Sequence, residues 1–336
     1  MPMGWLGRKD PLQIVAFQSY GTPQRLYIRG RALEDESIDL ARKGFVPLLT
    51  NSWKRFETDE IRHAPLRIRL PDDRVFELTT DMEGYYLLDQ QAQALDSLTN
   101  EEGWVHFEMS YREGQLSRPV LGENRFPGSM LIPAATARFG VISDIDDTIL
   151  QTGVTSYLKW RVIVNTLFKR AESRIPLSGA AELYHTLHKG TDGQAANPIF
   201  YVSHSPWNLY RYLELFLRRN QFPKGPILLR SMASFWRRKR EDVPHKQHEI
   251  VNILESYPKL SFVLIGDSGE KDADIYLDIA RRYPGRIRAI YLRTVRHPGR
   301  MKRVRNLIAH EKTVPVLLAE KSREILSHVR ELGLLK

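Results

Sequence analysis

The chain has no cysteine, which excludes a disulfide framework and any thiolate-held metal. It also lacks an apolar run near the ~20 residues that span a bilayer, so no integral membrane helix is expected. The opening MPMGWLGRKD has no apolar core of a secretory signal, and Pro2 stands where N-myristoylation needs glycine. These absences lead us to expect a cytoplasmic protein, at most peripheral at a membrane. No internal repeat or low-complexity tract appears. What is present is an ordinary globular composition: 336 residues, 42% hydrophobic and 27% charged. That is enough chain for two domains with separate cores.

The net charge of +10 is unevenly spread. Residues 1–135 hold 16 basic and 20 acidic side chains, whereas residues 136–336 hold 34 and 20. The basic part attracts anionic partners: nucleic acid, an anionic membrane surface or phosphorylated substrates. Charge alone does not choose among them.

The stretch Gly140-Val141-Ile142-Ser143-Asp144-Ile145-Asp146-Asp147-Thr148 is the centre of the chemistry. An apolar run suited to a buried strand ends in three carboxylates within four positions. Open α/β sheets place ligands beyond the carboxyl ends of such strands. Clustered acids repel one another unless a cation neutralises them. A solvated acidic turn is the plain alternative. A second apolar run, Phe262-Val263-Leu264-Ile265, also ends in acid, at Gly266-Asp267-Ser268-Gly269-Glu270-Lys271-Asp272. Between the two, Tyr201-Val202-Ser203 closes a third apolar strand and Lys246 opens a helix. A hydroxyl, a lysine and a metal are the parts that hold a phosphoryl group and offset its developing charge.

In this order, DxDxT (Asp144, Asp146, Thr148), Ser203, Lys246 and GDxxxxD (Gly266, Asp267, Asp272) resemble the haloacid-dehalogenase-like phosphohydrolase superfamily. More narrowly, SDIDDTI, YVSHSPWNLY, KQHEIVNILESYP and FVLIGDSGEKDADIY are similar to the phosphatidate phosphatase catalytic-domain family known from a fungal actin-patch protein, over roughly 137–293. The resemblance implies that Asp144 is the nucleophile, forming an aspartyl-phosphate, and that Asp146 serves as general acid and then base. It implies Mg²⁺ held by Asp144, the backbone carbonyl of Asp146, and Asp267, with Asp272 as a further ligand or an anchor. Ser203 and Lys246 would bind phosphoryl oxygens, Lys246 also balancing the acids. Thr148 is placed on the substrate side, or with Asp147 only shapes the loop; Glu270 and Lys271 are read as solvated. The implied fold is a parallel Rossmann-like α/β sheet. Its cap is minimal, because the gap between Thr148 and Ile199 is too short for a separate cap domain. The resemblance further implies that a small cap leaves the site open to bulky substrates.

Three regions follow from the pattern: a β-sandwich-like domain over 1–117, a linker over 118–136, and the α/β domain over 137–336. In the first, short strands are predicted at 13–17, 25–31, 65–70, 75–79 and 104–109, and 80–87 resembles a turn-then-strand of transthyretin-like modules. A short helix is expected near 38–43. Pro and Gly punctuate 118–128 as a connection. In the second domain strands are predicted at 139–143, 199–203, 226–229, 262–265 and 287–292. Helices are predicted at 178–189, 206–219, 244–257 and 273–282, with Ser178 and Ser205 as N-caps and Pro206 at a first helical position. Residues 317–335 read as one closing amphipathic helix.

Other candidates are weaker. His245 and His248 stand three apart on a helix, but with no third ligand at suitable spacing they read as an exposed pair. Residues 231–240 (SMASFWRRKR) join Phe235 and Trp236 to four basic residues, a patch for anionic lipid, nucleic acid or simply solvent. Residues 157–170 form an amphipathic stretch, a core helix in preference to a flap. The sequence therefore points to a Mg²⁺-dependent phosphomonoester hydrolase acting on phosphatidate or a related lipid phosphate at an anionic membrane surface. Nucleic-acid ends or phosphoproteins are the alternative substrates, and a non-catalytic binding protein is the alternative class.

Overall fold

The computed structural model describes residues 11–34, 61–112, 114, 118–145, 148–149, 179–230, 244–269, 271–295 and 297–335. The stretches 38–43, 157–170 and 231–240 lie outside the described residues, as do Asp146, Asp147, Ser178 and Glu270. The chain divides into two compact units, residues 1–132 and 133–336.

The first unit contains eight strands: β1 (Leu12–Ala16), β2 (Ser19–Thr22), β3 (Arg25–Glu34), β4 (Pro65–Arg69), β5 (Val75–Thr79), β6 (Tyr85–Gln91), β7 (Trp104–Tyr111) and β8 (Phe126–Leu131). They form one sheet in the order β1-β3-β2-β8-β7-β4-β5, with β6 paired to β3. Only β2 and β8 pair in parallel. Period-two alternation sets the buried face: Leu66 and Ile68 of β4 point inward with Val105, Phe107, Met109 and Tyr111 of β7, while Arg69 faces water. These side chains share one hydrophobic core with Leu26, Ile28 and Met130.

The stretch expected to link the domains is part of this sheet instead. Its residues Phe126–Leu131 form β8, paired with β7 from Trp104↔Leu131 to Met109↔Phe126. Pro127 and Gly128, read as punctuation, sit inside a strand. A Cβ at Gly128 would lie 2.1 Å from Cε2 of Phe107, so the glycine admits a core ring rather than a turn.

The second unit is a six-stranded sheet: β9 (Gly140–Ser143), β10 (Ile199–Pro206), β11 (Ile227–Arg230), β12 (Phe262–Asp267), β13 (Ile287–Arg293) and β14 (Val316–Ala319). Every pairing is parallel, in the order β11-β10-β9-β12-β13-β14. Among its described residues the helices are α1 (Ala180–Lys189), α2 (Tyr210–Arg219), α3 (His245–Ser256), α4 (Asp272–Arg282), α5 (Pro298–Ile308) and α6 (Ser322–Glu331). Both β9 and β12 are buried along their whole length, and each fully buried Ile, Leu or Val contributes ~1.5–3 kcal/mol. The chain winds outward from β9 to β11, then crosses back to β12 and winds the other way. The switch point between β9 and β12 is where this architecture opens a crevice at the carboxyl ends.

Three local expectations need correction. Residues 317–335 are not one helix: the short apolar run Val316–Ala319 adds β14 to the sheet edge and α6 follows. No helix begins at Pro206. β10 runs through it, a 3-10 turn covers Trp207–Leu209, and α2 starts at Tyr210. Ser205 is therefore no N-cap; its backbone N–H donates to Ser203 Oγ at 2.9 Å. Helix α5 had no counterpart in the sequence reading, although His297 caps it by accepting from Arg300 N and Pro298 opens it. No described helix is long and apolar enough to cross a membrane.

Candidate functional site

Both halves of the crevice are set by strand register. Ser143 lies opposite Ile265, and the next residue, Asp144, donates its backbone N–H to Ile265 O at 2.8 Å. Asp144 is thus locked to β12 as the chain leaves β9, while β12 itself ends in Asp267. Asp272 is the first residue of α4, where the positive helix end favours an acid. Its Oδ2 accepts the backbone N–H of Asp267 at 3.2 Å. Only a glycine at 266 permits this approach, because a Cβ there would lie 2.3 Å from Asp272 Oδ2 and 2.8 Å from the Tyr276 ring.

Asp144, Asp267 and Asp272 converge so that one oxygen from each lies within 4.8 Å of the others, and all three are at most 1% exposed. Lys246, in the first turn of α3, has its Nζ buried among them. It donates to Asp144 Oδ1 at 3.0 Å and to Asp272 Oδ1. Three buried carboxylates converging on one point repel one another, and such an arrangement favours a divalent cation. Hard carboxylate oxygens with no sulfur or imidazole among them suit a hard cation. This is the one such acidic cluster among the described residues.

The remaining expected residues surround this centre. Thr148 is buried and its Oγ1 lies 3.5 Å from Asp144 Oδ2, facing the acid. Ser203 is fully buried within β10, two residues beyond Tyr201, which pairs with Ser143. Asp146 lies outside the described residues. His245 and His248 are not an exposed pair. The His245 side chain is only 14% exposed and its Nδ1 sits 3.9 Å from Oε1 of buried Glu249, one turn along the helix. His248 alone is exposed.

Several supporting residues escaped the sequence reading. Ser143 donates to Asp144 O at 2.7 Å and also bonds the Tyr184 hydroxyl. Burial pushes the Tyr184 phenol well up, so it stays neutral. Burial and the neighbouring Asp272 do the same to Tyr276, whose hydroxyl donates to Ile265 O at 3.1 Å. The turn after β12 is clamped by α5. Arg300 Nη1 donates to Gly269 O at 2.7 Å, Gly269 N donates to Asp267 Oδ1, and Ser268 Oγ donates to Arg293 O at 2.7 Å. Arg300 thus orients the candidate metal ligand Asp267 through Gly269, itself 31 positions away in the chain. Partners of this kind are typically worth 10–100-fold in metal affinity. Arg300→Ala is accordingly expected to weaken Mn²⁺ binding, measured by calorimetry, by roughly tenfold with little change in melting temperature; an unchanged affinity would show that the turn holds itself.

His204 follows Ser203 in a positive environment. Burial first, then the positive charges of Lys246, His245, Arg230 and Lys271, hold its pKa well below 6.5. The imidazole is neutral in the folded protein at neutral pH. Unfolding frees it to protonate, so its contribution to stability is complete above pH 6.5 and is lost as pH falls from there toward its folded value. His204→Gln should therefore lose less stability than wild type between about pH 7 and pH 5.5, read by thermal melts. Parallel curves for the two proteins would place the acid sensitivity elsewhere.

Residues 139–294 match the family model described as the catalytic domain of phosphatidate phosphatase APP1. Phosphatidate phosphatase APP1 of Saccharomyces cerevisiae is 31% identical over 260 residues, covering 73% of this chain and 40% of that protein. An uncharacterized protein of Schizosaccharomyces pombe is 27% identical over 236 residues, covering 66% of this chain and 34% of that one. The chain thus spans less than half the length of either relative. A share of 73% is more than residues 133–336 can supply, so the similarity to the budding-yeast protein extends into the first unit. Ferredoxin-NADP+ reductase from Plasmodium falciparum aligns at 10% identity over 93% of this chain and 95% of its own, with a TM-score of 0.18 that bears no argument.

Proposed function

Through residues 139–294 the chain belongs to the family of phosphatidate phosphatase catalytic domains, and from that premise we propose that it is a Mg²⁺-dependent lipid phosphate phosphatase of haloacid-dehalogenase-like chemistry. The observation that carries this reading is the buried trio Asp144, Asp267 and Asp272 at the switch point, bridged by Lys246. The substrate is phosphatidate or a close lipid phosphate, and the products are diacylglycerol and phosphate. The basic excess of residues 136–336 suits work at an anionic membrane surface.

Asp144, Asp267 and Asp272, with the carbonyl of Asp146, would hold the cation. Bound Mg²⁺ polarises the phosphoryl oxygens and offsets their charge. An oxygen of Asp144 attacks phosphorus, the ester P–O bond breaks, and an aspartyl-phosphate forms on the enzyme. Asp146 gives its proton to the departing alkoxide. It then takes a proton from a water that attacks the aspartyl-phosphate, which releases inorganic phosphate and restores both acids. Lys246 keeps its ammonium against Asp144, and with Ser203 it binds phosphoryl oxygens. The fixed positive field around His204 adds to the attraction of an anionic substrate. Residues 1–132 form a separate unit that supplies none of these residues in this reading.

The test is phosphate release from dispersed phosphatidate, an aryl phosphate and a 5′-phosphorylated oligonucleotide, each with Mg²⁺ and with EDTA. Mg²⁺-dependent release from phosphatidate is expected. Release from the aryl phosphate alone would keep the chemistry and remove the lipid. Preference for the oligonucleotide would move the substrate to nucleic-acid ends. Inactivity of folded, Mg²⁺-loaded protein on all three would sink the enzymatic reading.

A further inference from the structure

A second positive group lies on the same end of the sheet and takes no part in the reaction above. Arg293 closes β13 with 4% exposure. Its Nη2 donates to Ser322 Oγ at 2.7 Å, its Nε has no hydrogen-bond partner, and the guanidinium makes no ion pair among the described residues. Glu324, whose charge acts on Arg293, already accepts the backbone N–H groups of Glu320 at 2.8 Å and Lys321 at 3.4 Å. Burial lowers the pKa of Arg293, while Tyr184 and Glu324 pull it back up. An arginine keeps its charge under such conditions, and a buried charge without a counterion is strongly disfavoured.

Its surroundings add further donors. Ser322 is the first residue of α6, and a Cβ on Gly179, the N-cap of α1, would lie 3.6 Å from Ser322 Cβ. The amino ends of two ten-residue helices therefore meet beside the arginine. Helix amino ends carry positive potential and outward-pointing N–H groups.

We propose that Arg293 and Ser322, between the amino ends of α1 and α6, form a second oxyanion site for a small ligand of the phosphate class. A planar guanidinium with an unused N–H matches phosphate oxygens, and Ser322 Oγ, which accepts from Arg293 Nη2, holds the fork in place. With 4% exposure, the site admits a free anion rather than a headgroup still seated in a bilayer. It shares no residue with the three-acid centre and does not depend on the phosphatase reading.

Thermal melts in EDTA, titrated with inorganic phosphate against chloride of equal ionic strength, test it. Without its cation the three-acid centre repels phosphate, so a remaining effect reports the second site. Wild type and Ser203→Ala should both gain roughly 2–4 °C at saturation. Arg293→Met should gain nothing yet melt no lower than unliganded wild type, and Ser322→Ala should need several-fold more phosphate. If Arg293→Met does not fold, Arg293→Lys, which keeps charge but not the fork, should bind about tenfold more weakly. A full gain in Arg293→Met, loss of the gain in Ser203→Ala, or no gain in wild type would each overturn the proposal. A gain from phosphatidate vesicles but not from free phosphate would overturn the small-anion assignment.

Discussion

Asp144→Asn lowers phosphate release from phosphatidate by roughly 10⁴–10⁶-fold, the scale on which loss of a covalent nucleophile is felt. The amide has nearly the same shape, and its carbonyl oxygen still accepts from Lys246, which donates to Asp144 Oδ1 at 3.0 Å in the native chain. The backbone bond to Ile265 is untouched. Folding is therefore preserved, and removing one of three clustered negative charges relieves repulsion. The expected pattern is an inactive protein that melts at or slightly above the wild-type temperature. Measured release within tenfold of wild type would remove Asp144 from the reaction. A large fall in melting temperature would mean that the loss reports structure rather than chemistry.

Lys246→Met should be the most destabilising single change in the site. The ammonium is wholly buried and faces Asp144 and Asp272. Methionine fills the volume but leaves three buried carboxylates with no fixed cation. Breaking a buried ion pair by deleting one partner costs about 3–5 kcal/mol, or ~10 °C for a domain of this size. A divalent cation binds the folded form alone and shifts the balance back. The variant's melting temperature should consequently rise more steeply with added Mg²⁺ than that of wild type, without recovery of phosphate release. Equal stability in the absence of metal would show that solvent, rather than Lys246, compensates the acids.

The site was readable because its acids mark the ends of two strands whose apolar runs are unbroken, at Val141–Ser143 and Phe262–Ile265. Such runs admit few other structures. Elements that share their signal with something else were lost. The four apolar residues of β14 are indistinguishable by periodicity from the first turn of the helix that follows. Pro127 and Gly128 carry the composition of a turn, and only the Phe107 ring packed on Gly128 explains why a strand uses them. At Ser205-Pro206 a good cap signal was overridden by β10, which runs on toward the crevice. The clamp from Arg300 and the buried pairing of His245 with Glu249 depend on tertiary placement. No spacing rule in one sequence shows that Arg300 meets Gly269.

The hydrogen bond from Asp144 N to Ile265 O makes the amide of the proposed nucleophile a rung of the ladder between β9 and β12, the central pair of the sheet. That proton can exchange with solvent only when the two strands part, which is close to global unfolding of the domain. The backbone that carries the Asp144 carboxylate consequently has no private breathing mode. Its amide should rank among the slowest-exchanging in the chain, and heat inactivation should track loss of the sheet instead of preceding it.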